Sequence, residues 1–297
     1  KNRKIFFILS GTIVAVSLLL IFVRGLNIGI DFTGGSALEV AFEENRPDIT
    51  EVRQALVEAE LEEVRVRPFG DTRYMFQMQS TASTTHDAIV TALSIIKPEQ
   101  ELTKIYPHVI GPSIGAELLS KAWIAITTVV LAIIFFIAYV FRHAAEKVSS
   151  WKYGFIAIIA LAHDIILPTG LISLLGIEIG SLYVIAILAI LGLSVNDTIV
   201  VFDRVRENLK LKISRDFKEV VGKSLEQTYV RSINTSLTTL FVIAMLYFFG
   251  PDSTKDFALV LGAGLIVGTY SSIFLASPLL LVAEKIQRAQ DQKEKER

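Results

Sequence analysis

The chain has 297 residues, 52% of them hydrophobic and only 20% charged, with a formal net charge of -1 and no cysteine. A soluble core of this length needs less apolar surface, so the composition points to a membrane protein. The charge balance argues against a nucleic-acid partner, which would call for a basic excess, and the absence of cysteine excludes disulfide and thiolate chemistry in this chain.

Six apolar stretches are long enough to cross a hydrocarbon core about 30 Å thick: residues 5–23, 122–141, 153–175, 181–202, 233–249 and 257–283. The first follows Lys1, Arg3 and Lys4, the charge pattern of a signal peptide. Its apolar length exceeds a usual h-region and Arg24-Gly25-Leu26-Asn27 is a poor cleavage site, so it reads as a retained helix.

Residues 24–121 read as one small α+β domain. Leu38, Val40 and Phe42 alternate as a strand. Asp48 and Glu51 make a capping-box-like start, with Asp in place of Ser or Thr, for a helix whose Val52, Leu56 and Ala59 share a face. Val64 and Val66 alternate with Arg65 and Arg67, and Gly70-Asp71 turns the chain into Tyr74, Phe76 and Met78. A second helix over 85–96 stops before Pro98, and a last strand runs over 102–109. The order βαββαβ predicts a ferredoxin-like fold. Its 15 acidic and 9 basic residues are the pattern of a solvated surface. Gly34-Gly35 and Gly111-Pro112 join this domain to the flanking spans, either as hinges or as rigid entry angles.

In the third span His163 adjoins Asp164, too few ligands for a metal site and better read as a buried hydrogen-bonded pair. Pro168, a turn beyond, kinks this helix and either opens a water cavity or eases packing. In the fourth span Asp197 is flanked by Leu193, Val195, Ile199 and Val200. An ionised Asp at mid-membrane costs roughly 2.5–3.5 kcal/mol, so such residues usually face a protein interior and mark ion or proton pathways.

Residues 203–230 alternate charges and present Val205, Leu209, Ile213 and Phe217 at intervals of four, the pattern of an amphipathic interfacial helix whose basic residues serve topology and lipid contact. Arg231 opens the fifth span. Its guanidinium stays charged and carries several donors, which makes it a candidate partner for Asp197, with Thr235 a second. Two other readings stay open: a structural ion pair between helices, or an Arg231 that snorkels to the interface. In the last span Gly264 and Gly268, with Gly262, Ser271 and Ser272 nearby, let this helix approach another closely, within the chain or in a neighbouring subunit.

Orientation follows from the loops. Lys and Arg number three before the first span, three over 142–152, eight over 204–231 and five after residue 283, against none over 176–180 and one (Lys255) on the opposite side. The positive-inside rule places both termini in the cytoplasm and residues 24–121 outside. The expected organisation is helix 1 over 1–23, the external domain over 24–121, helices 2 to 6 over 122–283 with a cytoplasmic loop at about 203–230, and a charged tail over 284–297.

Several motifs occur in a telling order. Gly29-Ile30-Asp31-Phe32-Thr33-Gly34-Gly35-Ser36 follows the first span, and Gly111-Pro112-Ser113-Ile114-Gly115 precedes the second. Residues 193–208 (LSVNDTIVVFDRVREN) run out of the fourth span, and residues 231–240 (RSINTSLTTL) open the fifth. Over nearly its whole length the chain resembles the SecF family, the smaller membrane subunits of the SecDF accessory complex of bacterial protein export, within the resistance-nodulation-division superfamily. The resemblance implies a subunit of the cytoplasmic (inner) membrane that, with SecD, uses the proton-motive force to help move unfolded preproteins out through the SecYEG translocon. Expected partners are SecD, SecYEG with its accessory membrane subunits, the preprotein and membrane lipids; no cofactor is implied.

The family's intramembrane Asp maps to Asp197 and its following functional Arg to Arg231, while Asp164 also fits a family pattern. Asn196, Thr198 and Thr235 adjoin these positions and complete the proton-transport candidates. Desolvation favours a neutral acid and a nearby cation favours a carboxylate, so a movable partner switches such a group between proton uptake and release. Two rivals stay open: a half-size exporter of lipids or small amphiphiles, and a non-transporting assembly scaffold. No Walker A pattern, nucleophile triad or ligand cluster occurs, which argues against ATP hydrolysis and covalent catalysis.

Overall fold

A computed structural model describes residues 3–79, 83–100, 102–142 and 149–295. In chain order the elements are α1 (Arg3–Arg24), β1 (Asn27–Ile28), α2 (Ile30–Thr33), β2 (Gly35–Phe42), α3 (Ile49–Glu58), β3 (Arg65–Phe69), β4 (Arg73–Met78), α4 (Ser83–Ile96), β5 (Leu102–Ile110), α5 (Pro112–Val140), α6 (Ser150–Leu175), β6 (Glu178–Ile179), α7 (Ser181–Lys210), α8 (Phe217–Phe249), α9 (Asp252–Ser271) and α10 (Ser277–Lys295). A π-helical turn, Ser272–Ala276, joins the last two. Among the described residues six helical segments are long and apolar enough to cross a membrane, as the six apolar stretches lead one to expect. Lys1, Lys147 and Arg297, counted among the basic residues that set orientation, lie outside the described residues.

Two compact units are present: Lys1–Asn27, Ile124–Ile177 and Leu182–Arg297 form one, and Ile28–Trp123 with Glu178–Ser181 form the other. In the second unit the four long strands make an antiparallel sheet in the order β3-β4-β2-β5. The alternation seen in sequence sets its faces: Leu38, Val40, Phe42, Tyr74 and Phe76 are buried with Val52 and Leu56 of α3 and Ile89 and Leu93 of α4. The β3–β4 hairpin turns at Gly70, whose φ of 62° favours glycine. Asp48 caps α3 by accepting from the Thr50 amide at 2.8 Å. The return bond from Glu51 that a full capping box requires is absent from the hydrogen bonds of the described residues.

The glycine junctions are tight contacts. Gly34, at φ 75°, sits so close to Pro112 that a Cβ would lie 2.7 Å from its Cα, and a Cβ on Gly115 would lie 2.8 Å from the Gly34 nitrogen. Within the sheet unit the segments that enter and leave it therefore rest on each other. Asp31 accepts from the backbone N–H of Ser181 at 2.7 Å, capping α7, and Glu178 accepts from Ile30 N at 3.2 Å and from the Gln77 amide.

In the helical unit α6, α7 and α9 are the inner helices. Phe141, Tyr153 and Phe202 pack as mutual aromatic neighbours, with centroids 5.1, 6.0 and 5.4 Å apart. Gly264 faces Ile190 and Gly268 faces Ser194, so the small-residue stripe of α9 serves packing against α7 within this chain. Residues 203–230 differ from expectation. They form no separate surface helix: α7 continues to Lys210, α8 begins at Phe217, and only 211–216 turn between them. The cause is continued burial, since Val205, Phe217 and Val220 face the core and the Asn208 amide donates to Ser224 Oγ and Gln227 Oε1, each at 2.8 Å. The α6 helix likewise runs through Pro168.

Two outcomes test this packing. Phe76→Ala, at the centre of the sheet core, should cost about 3–5 kcal/mol and lower hydrogen-exchange protection across β2, β4 and α3 together. The Thr50 hydrogen bond holds the Asp48 carboxyl below the usual carboxylate range. Its stabilisation is thus present at pH above that range and lost as pH falls through the lowered value. Acidification should reduce protection of the first turn of α3 in the wild type, and Asp48→Ala should show the reduced protection at every pH.

Candidate functional site

Two carboxylates lie inside the helical unit. Asp164, on α6 and 0% exposed, accepts from Ser271 Oγ at 2.8 Å and from Ser194 Oγ, and His163 Nδ1 lies 2.9 Å from its other oxygen. It is thereby tied to α7 and to the end of α9. Pro168 has no N–H to give the Asp164 carbonyl four residues earlier, so this turn of α6 is already freed of one helical bond. His163 Nε2 is buried without a hydrogen-bond partner, and its ring stacks on Tyr270 with centroids 6.1 Å apart.

Asp197, on α7 and 5% exposed, has a different setting. Ser236 of α8 donates to its Oδ2 at 3.2 Å, and Thr269 of α9 donates to Ser236 at 2.6 Å. Its neighbour Thr198 lies 2.9 Å from Ser272 Oγ, at the π turn. A π turn inserts one residue into the helical repeat and recurs at functional sites; here it re-aims the serines of α9 toward α6 and α7. The result is a hydroxyl-rich layer between apolar helical turns, and among the described residues no group of three His, Asp or Glu has the arrangement of a metal site.

The structure does not join Asp197 to Arg231. Among the described residues no ion pair links them, and Arg231 and Thr235 are exposed on α8. The helical repeat places Arg231 about 140° around the axis from Ser236, so the two residues start from different faces of α8. Asn196 is likewise exposed on α7, beside the buried Asp197 and Thr198. The residues missed by sequence reasoning are hydroxyls: Ser194, Ser236, Thr269, Ser271 and Ser272. A usable signal was present in α8, where Ser224, Thr228, Ser232 and Ser236 recur every four residues on one face. Ser232 Oγ on that stripe is buried and has no partner.

Comparison with known proteins decides the family. The sequence model described as "Protein export membrane protein SecD/SecF, C-terminal" matches residues 89–286, and the "SecD/SecF GG Motif" matches residues 19–45, which hold Gly34 and Gly35. The chain belongs to the SecD/SecF family. The protein translocase subunit SecF of Thermobaculum terrenum is 38% identical, covering 94% of this chain and 91% of its own length. That of Haemophilus influenzae is 37% identical, covering 93% and 82%. The crystal structure of SecDF, a translocon-associated membrane protein from Thermus thermophilus, superposes with a TM-score of 0.84 at 31% identity. It covers 96% of this chain, which spans only 38% of that SecDF chain.

The SecF-type polar layer makes a stability prediction. Asp164→Ala removes the acceptor shared by Ser194 and Ser271; Ser271 keeps the Gly268 carbonyl, but Ser194 is left a buried unpaired donor at about 1–3 kcal/mol. The variant's thermal unfolding midpoint in detergent should fall well below that of Asp164→Asn, which retains an acceptor oxygen.

Proposed function

We propose that this chain is a SecF-type subunit that, together with a SecD partner, couples proton influx to the export of preproteins across the bacterial cytoplasmic membrane. The observation that carries this reading is the carboxylate of Asp197 inside an apolar span, held by one hydroxyl that belongs to the next helix. A serine can donate to a carboxylate and can equally accept from a protonated acid. A protonated Asp197 can therefore donate to Ser236, which frees the Ser236 proton to seek another acceptor beside the bond it takes from Thr269. One proton changes the hydrogen bonding among α7, α8 and α9 together, and the two arrangements bias helix positions by differential stabilisation. A membrane potential supplies about 2.3 kcal/mol per charge per 100 mV, enough to shift a two-state equilibrium more than tenfold.

The partner enters through exposed polar residues. Asn196 on α7 and Arg231, Asn234, Thr235 and Thr238 on α8 are exposed within apolar helices, where lipid contact is costly. In this proposal the SecD half covers that face and brings the counter-ion for Arg231, so that Arg231 acts across the subunit boundary. Asp164 and His163 form a second buried pair whose part in proton transfer is proposed to be subsidiary. The sheet unit, with its strand order and two crossing helices, is proposed to be a ferredoxin-like domain on the outer side, where work on a preprotein emerging from SecYEG is delivered. Both termini are then cytoplasmic, with domain limits at about 24–121 and helices 2 to 6 within 122–283. The names of the SecF relatives favour translocation over the exporter and scaffold readings.

Asp197→Asn should assemble with SecD at wild-type levels and lose the part of preprotein export that depends on a proton gradient, measured in inverted vesicles with and without an uncoupler. Undiminished gradient-dependent export in that variant would reject the proposal. Arg231→Lys keeps the charge but not the planar fork, and should retain assembly with export reduced several-fold; full export would remove Arg231 from the mechanism.

A further inference from the structure

Where the start of α1, the start of α8 and the length of α10 come together, the helical unit holds a cavity of about 690 Å³. Its floor is apolar, made by Phe6, Val221, Leu225, Ile273, Phe274 and Leu281. Its rim is cationic: Arg3 and Lys4 from α1, Lys218 from α8, and Lys285 and Arg288 from α10. The two acids that also line it are already engaged. Glu284 is paired with Arg288, and Asp216 accepts from the Lys218 amide at 3.0 Å as the cap of α8. Among the described residues no acidic side chain pairs with Arg3, Lys4, Lys218 or Lys285.

A second, largely apolar cleft of about 270 Å³ lies between α8 and α9, lined by Ile233, Leu237, Leu240 and Ile266 with the hydroxyls of Ser236 and Thr269, and it shares Ile273 and Phe274 with the cavity. From Phe274 back to Ile266 the helix rises about 12 Å, most of the roughly 15 Å hydrocarbon depth of one leaflet. A single ligand must therefore offer anionic groups at one end and a long hydrocarbon chain at the other. Free phosphate would satisfy the rim and leave the cleft empty. A protein helix would have to place several carboxylates opposite four unpaired cations at one level.

We infer that this cleft is a binding site for an anionic phospholipid, its headgroup held by Arg3, Lys4, Lys218 and Lys285 and one acyl chain lying between α8 and α9. Basic pockets between membrane helices recognise anionic headgroups mainly by charge, so each cation lost should weaken binding about fivefold. Ser236 and Thr269 also line the cleft, so the acyl chain lies against the hydroxyls that hold Asp197; the inference rests on the lining and the cations and stands whether or not Asp197 carries protons.

The test uses the intact complex with SecD in detergent, titrated with phosphatidylglycerol or phosphatidylethanolamine and read by native mass spectrometry. Phosphatidylglycerol should bind at least tenfold more tightly than phosphatidylethanolamine. The Lys218→Gln, Lys285→Gln double variant should bind phosphatidylglycerol about thirtyfold more weakly, while Lys210→Gln, Lys212→Gln, outside the cavity, should match the wild type. Because this chain has no cysteine of its own, Leu237→Cys, at the cleft, can carry a fluorophore in a complex with cysteine-free SecD. Phosphatidylglycerol with brominated acyl chains should quench it. Equal affinity for the two lipids, an unaffected double variant, or a probe left unquenched would overturn the inference.

Discussion

The helical unit is organised around the need to keep Asp197 out of hydrocarbon. A carboxylate in an apolar span survives only if neighbouring helices supply its hydrogen bonds, and here that supply is thin: Ser236, itself held by Thr269. Asp164, by contrast, is surrounded by Ser194, Ser271 and His163. The two carboxylates therefore differ in how many groups hold them, three at Asp164 and one at Asp197, and the proposed role of Asp197 rests on that difference. The glycines of α9 belong to the same arrangement, because the close approach of α9 to α7 at Gly264 and Gly268 goes with Ser272 reaching Thr198 of α7.

The short segment after α1 has a comparable economy. Asp31 accepts from the first amide of α7, and Gly34 presses against Pro112. Within the sheet unit, the motif that contains both glycines thus meets the start of the sheet, the first residue of α5 and the backbone of Ser181. Any substitution with a side chain at Gly34 meets backbone atoms, which explains why glycine is needed there without invoking flexibility.

Much of this was legible in the sequence. Hydrophobic length located the six membrane-length helices, and period-two alternation at Leu38, Val40, Phe42, Tyr74 and Phe76 located the sheet and its buried face. Asp197 stood out because charge is rare in such a span. What the sequence did not disclose was the partner. Arg231 drew attention because opposite charges attract at long range and are easy to see in a string of letters, whereas Ser236 is an ordinary helix residue until its rotation about the axis is known. The run 203–230 misled for a similar reason: charges every few residues read as a surface helix, but Asn208 and Ser224 bond across the turn and keep both helices going. The π turn at Ser272–Ala276 has no periodic signature in sequence and emerges only from packing.

Proton exchange at Asp197 is the central claim, and infrared spectroscopy of the reconstituted complex reads it most directly. With the aspartates isotopically labelled and Asp197→Asn as the reference, the difference spectrum isolates the carboxyl stretch of this one residue. The account predicts a protonated-acid band that appears and vanishes reversibly as the pH on either side of the membrane is changed within the physiological range. A band that stays in one form throughout would contradict it and leave Asp197 a fixed structural acid.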